Sequence, residues 1–168
     1  MSGACVHPFF IHFAHTMGCY IYQTHRGDFS LREMQFAHLA VAYQTLQQMK
    51  EEDDPFSYGQ AHHCLALSAL LSQRAKAAIV YHEEAVRIVE VNRLHVLKDP
   101  GPLAPDQTHL EASEVLERAV FLGTLLHMEI VLEILNIKKR TRCYAIEEEF
   151  RYRFPVCPSD RFLRALGC

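Results

Sequence analysis

The stretch Ala75–His95, AKAAIVYHEEAVRIVEVNRLH, decides how this chain is read. Ala75, Ala78, His82, Ala85 and Val89 recur at intervals of three and four, the spacing that places them on one helix face, and Ile79 and Val86 widen that face. Lys76, Glu83 and Glu90 fall seven apart on the opposite side, with Glu83 one turn before Arg87, the spacing of a helical ion pair. The pattern predicts a helix over 75–95. Small alanines on the apolar face allow another helix to approach closely, so this helix belongs in the middle of an all-α layer.

Working outward, the same period recurs on both sides. Pro8 suits a first helical turn, and a helix is expected over Phe9–Gln23 with its end marked near Gly27. Ser30 with Glu33 reads as a capping box opening a helix over Leu31–Met49, with Leu31, Met34, His38, Val41 and Met49 on its buried side. The run Glu51–Pro55 interrupts the period. Ser57 with Gln60 reads as a second box, opening a helix from Tyr58 to about Gln73 that turns tightly into the 75–95 helix as an antiparallel hairpin. Pro100, Gly101, Pro102 and Pro105 make 96–107 a surface loop. Thr108 with Glu111 is a third box for a long helix from Leu110 to about Ile137, carrying Leu116, Val120, Leu125 and Leu132 and packing on the 75–95 helix. Lys138, Lys139, Arg140 and Arg142 follow, where positive charge suits the carbonyl end of a helix. Short turns are expected at Glu147–Phe150 and Arg161–Leu166. The fold class that results is all-α: a single antiparallel helical bundle of about five main helices over 1–168.

Composition narrows the function. With 17 basic against 20 acidic residues the net charge is −3, which disfavours a general nucleic-acid binder. Cys5, Cys19, Cys64, Cys143, Cys157 and Cys168 form no C-x-x-C pair, and no secretory leader is seen, so reduced thiols in an intracellular protein, nuclear or cytoplasmic, are expected. The apolar run Phe9–Tyr22 is shorter than a membrane span and carries His12 and His15, which makes it a core helix and the chain no membrane protein. The Lys138–Arg142 run also fits a nuclear import signal or a phosphate contact. The absence of a Gly-rich phosphate loop, a G-x-S-x-G elbow and an H-E-x-x-H pair argues against nucleotide hydrolases, serine hydrolases and zinc proteases.

Eleven histidines supply the candidate chemistry, because an unperturbed imidazole titrates near neutrality. His12, His15 and Cys19 share a stripe of the first helix, a spacing acceptable for metal ligands, against the plainer reading of histidines bordering a helix face. His62, His63, His82 and His127 are the candidates for a ligand pocket. Histidine and glutamate converging from facing helices is how a bundle builds an internal polar site, so His82 and Glu129 are the candidate acid–base pair of an isomerase or cyclase. The plainer reading makes His82 a core histidine donating one hydrogen bond. No cofactor is implied.

The run SYGQAHHCLALSALLSQRAKAAIVYHEEAVRIVEVNRLHV resembles the middle homology region of fungal zinc-cluster transcription factors. There a glutamine-led apolar helix is followed by a helix ending in an alanine, an arginine and a Leu-Gly-Leu-His element. Gln60 opens the first here, and Ala85, Arg87, Leu94 and His95 hold the corresponding places in the second, with Arg93 where the family has glycine. LERAVFL, with Arg118, is similar to the family's arginine-and-tryptophan helix, and RCYAIEEEFRYRFP to the segment after it; Phe121 is the aromatic nearest the tryptophan positions. The family's zinc cluster needs six closely spaced cysteines, and the six here are scattered. The resemblance therefore implies a regulatory domain without its own DNA reader, acting through a small effector or another transcription regulator, making no direct nucleic-acid contact and open to homodimer formation. The alternatives are a small enzyme of secondary metabolism using buried histidine and glutamate, and a tetratricopeptide-like interaction module, although the helical segments share no fixed repeat length.

Overall fold

A computed structural model describes residues 7–96 and 108–137, with side chains described for 7–96 and 116–137. The described residues form an all-α helical bundle of five helices: α1 (Pro8–Arg26), α2 (Arg32–Gln48), α3 (Pro55–Leu71), α4 (Ala75–Val91) and α5 (Thr108–Ile134). The proline-rich stretch, the Lys138–Arg142 run and the two short C-terminal turns lie outside the described residues. None of the helices described is long and apolar enough to cross a membrane.

The helices begin and end for local reasons that differ in part from the expected ones. Pro8 and Pro55 stand in the first turns of α1 and α3, where a missing N–H costs nothing. The cap of α3 is Asp54, whose carboxylate accepts the Ser57 N–H at 3.0 Å, in place of the expected Ser57–Gln60 box. The Ser30–Glu33 box is likewise not formed. Ser30 lies in the turn before α2, its N–H and hydroxyl both donating to the Asp28 carboxylate, and α2 starts at Arg32 with no side-chain cap. For α5, the expected Thr108–Glu111 box falls among side chains that are not described.

Three helices share one ending. Gln73, Arg93 and Asn136 take φ values of 58°, 51° and 55°, the left-handed region. In each case the following residue's N–H returns to a carbonyl five residues back: Arg74 to Ala69, Leu94 to Val89, and Ile137 to Leu132. This is the Schellman ending, formed here three times without glycine. It closes α4 at Val91, short of the expected His95, and folds Leu94 back into the core at 6% exposure. Among the described residues, glycine supplies the left-handed residue only after α1, at Gly27.

Packing follows the hairpins. α1 packs chiefly on α2 and α3 chiefly on α4; narrower contacts join α1 to α3, and α5 to both α3 and α4. One apolar cluster joins Phe9 and Phe13 of α1 to Ala42 and Leu46 of α2 and Ala61 and Leu65 of α3. A second joins Ala85, Ile88 and Val89 of α4 to Phe121, Leu122 and Leu125 of α5, and a third joins Ala66 to Met128 and Leu132. Gly59 makes the α3–α4–α5 junction possible, since a Cβ there would lie 3.3 Å from Ile88 Cγ2 and 3.4 Å from the Phe121 ring.

One expected face needs correction. In α2 the buried residues are Ala42 and Leu46, while Met34 and Val41 are exposed, because α2 turns the stripe through Leu39 and Tyr43 toward its neighbours. Of the apolar positions named for α5, Leu125 and Leu132 are buried, whereas Leu116 and Val120 face outward with His127. The inward face of α5 instead runs through Ala119, Leu122, Leu126 and Glu129.

Candidate functional site

α3, α4 and α5 converge on one polar cluster inside the apolar interior. His82 projects from the alanine-lined face of α4 and is fully buried; Glu129 projects from the inward face of α5 and is 2% exposed. His82 Nε2 and Glu129 Oε2 stand 2.6 Å apart, a short charge-assisted hydrogen bond. With Nε2–H donating to the carboxylate, Nδ1 is the ring nitrogen that remains. That atom is buried without a hydrogen-bond partner, and so is Nδ1 of His63, which α3 contributes. Burial, and secondarily the charge of His82, pushes His63 down to about 4. The cluster is thus a carboxylate-oriented imidazole with a second, neutral imidazole beside it. A carboxylate that fixes one ring nitrogen aims the other as a base, the arrangement used for proton transfer.

The other expected pocket histidines divide. His62 is buried one position before His63 but turns another way, its Nδ1 3.0 Å from the Tyr58 carbonyl and its ring edge-on to Tyr58 at 4.5 Å. His127 is exposed on the outward face of α5, so the four histidines do not line one pocket. His12 and His15 do gather a third donor, but it is His38 of α2, while Cys19 is buried in α1. Cys64 is half-buried, and burial pushes its thiol up to about 12, which makes it a poor nucleophile at neutral pH.

The family-matching positions occupy structural places. Gln60 is half-buried on α3, Ala85 is fully buried in the α4–α5 core, and Arg118 is half-buried on α5. His95 Nδ1 lies 3.4 Å from the Val89 carbonyl at the α4 terminus. Arg87 ties α4 to the α2–α3 connection: it donates to Glu51 at 2.6 Å and to Glu84 at 2.7 Å, and Asn92 also donates to Glu51 at 2.8 Å. The expected partner was Glu83. Residues three apart meet on a helix as readily as residues four apart, and Glu84 shares the side of α4 that faces Glu51. The Arg87 hydrogen bonds hold both carboxyls below their ordinary range.

Sequence reasoning passed over Glu51 and the pairing of His38 with α1. No spacing links residue 38 to 12 and 15, or residue 51 to 87; only the folded hairpins bring them together.

Fold and site together define an all-α domain of stacked helical hairpins with a buried imidazole–carboxylate pair. Compared with known proteins, the chain matches no family model, no curated protein and no solved structure. The likeness to fungal zinc-cluster regulators therefore rests on the motif residues themselves.

Proposed function

We propose that this chain is a transcription-factor-like regulatory domain that works through a partner protein or a small effector, with no DNA contact of its own. The observation that carries the reading is Arg93. It stands where the resembled family's Leu-Gly-Leu-His element has its glycine, and its φ of 51° is the conformation that glycine adopts most readily. Leu94, the next residue of the element, is buried as the anchor of that turn. A backbone requirement at the motif's one special position supports the resemblance independently of side-chain identity. A tagged chain should locate to the nucleus, and deletion should change a defined set of transcripts. An unchanged transcriptome would refute the reading.

A second reading is favoured by the 2.6 Å His82–Glu129 contact: an acid–base isomerase or cyclase in which Glu129 orients His82 and Nδ1 of His82 moves the proton. It predicts accumulation of one unprocessed metabolite on deletion, with transcripts intact. Full rescue by His82→Ala would remove it.

A further inference from the structure

Away from the buried pair, three imidazoles meet on the accessible seam between α1 and α2. His12 and His38 face each other through Nδ1 atoms 3.0 Å apart, and the His15 ring lies edge-on to His38 with centroids 4.7 Å apart. His12 and His38 are half-buried and His15 is exposed. α1 contains no acidic residue, and α2 only Glu33 near its start, so the two helices bring no carboxylate to balance a proton here. Burial and repulsion from His15 and His12 hold His38 below the usual imidazole range, which favours the neutral ring with a lone pair on one of its two nitrogens.

A divalent transition metal of the first row is bound by imidazole lone pairs, which rings gathered this closely can supply. Two nitrogens bound at about 2.0–2.1 Å, with an angle between square-planar and tetrahedral at the metal, stand roughly 2.9–3.4 Å apart. The observed 3.0 Å falls in that range. Among the described residues no three His, Cys, Asp or Glu side chains are already disposed around a cation position, so the protein offers a preset pair and His15 joins by rotating its side chain.

We propose that His12 and His38, completed by His15 and water, form a site for a divalent transition-metal ion of the Zn²⁺ or Ni²⁺ class that ties α1 to α2. The plainer account of the same distance is a single N–H···N hydrogen bond between the rings. The two differ in what zinc does to the chain.

The test uses the full chain, stripped with a chelator and titrated with Zn²⁺ by calorimetry and native mass spectrometry, with the thiols kept reduced. The expected result is one equivalent bound, with His12→Ala and His38→Ala each weakening it at least tenfold, while His25→Ala, elsewhere on α1, leaves it unchanged. Zinc should raise the melting temperature of the native chain and of His25→Ala but not of His38→Ala. Should His38→Ala fail to fold, ¹⁵N-imidazole spectra of the native chain serve instead, and zinc should move the Nδ1 resonances of His12 and His38. Zinc bound with unchanged affinity by His38→Ala, or imidazole shifts confined to other histidines, would overturn the site and leave the hydrogen bond.

Discussion

Removing His82 while leaving Glu129 in place should be among the most damaging single changes available to this chain. The carboxylate is 2% exposed and its Oε2 is 2.6 Å from His82 Nε2. In His82→Ala the carboxylate loses that donor in a place water hardly reaches, and a fully buried side chain is replaced by a void. Breaking a buried pair from one side costs about 3–5 kcal/mol. For a domain of this size each kcal/mol lowers the melting temperature by about 2–4 °C, so the expected loss is roughly 6–20 °C. The double change His82→Leu/Glu129→Leu removes both polar groups, keeps most of the volume and should lie within about 1 kcal/mol of wild type or above it. Urea unfolding followed by far-ultraviolet circular dichroism at pH 7, applied to His82→Leu, Glu129→Leu and the double, gives the coupling directly. A coupling above about 2 kcal/mol is expected. Single variants that each cost less than about 1 kcal/mol and add independently would refute the argument, because the two groups would then not share a buried bond.

Three further outcomes follow from local geometry. His63 is held at about 4 when folded, whereas an unfolded imidazole titrates near 6.5. Below pH 6.5 the unfolded chain therefore takes up a proton that the folded chain refuses, so stability is lost as pH falls from 6.5 toward 4. At pH 5 the loss from this group is about 2 kcal/mol, and His63→Leu should flatten that part of the stability–pH curve; an unchanged slope would show that His63 is not the titrating group. Arg93→Gly should hold or raise stability by up to about 1 kcal/mol in the same urea assay, since glycine relieves the left-handed strain at φ 51°. A loss above about 1 kcal/mol would mean that the arginine side chain outweighs the backbone effect. Cys64 is half-buried and its thiol is pushed up to about 12, so it should label with maleimide at about pH 7.5 more slowly in the native chain than in denaturant; equal rates would contradict the raised thiol.

Much of the architecture was legible in the pattern. The 3.6-residue period around His82 located α4, and Pro8, Gly27 and the break at Glu51–Pro55 marked the neighbouring helices to within a few residues. Capping was less legible. Asp54 supplanted the expected Ser57–Gln60 box because it precedes Pro55, and three helices ended on non-glycine residues in a conformation that composition does not announce. Periodicity also misassigned Met34 and Val41, since an apolar residue at helical spacing can lie on the far side of a helix packed on only part of its circumference.

The sequence by itself determined that this chain folds as helices, where most of them run, and that His82 and Glu129 sit on faces of α4 and α5. Short-range periodicity and local backbone preference suffice for that, because each depends on residues within a turn or two. Which side chains meet was decided only in the tertiary structure. The Arg87–Glu51 clamp, the entry of His63 beside the buried pair and the pairing of His12 with His38 all join residues 19 or more positions apart. Such contacts arise from how hairpins stack and rotate against one another, a balance of packing across whole helix faces that no local spacing encodes.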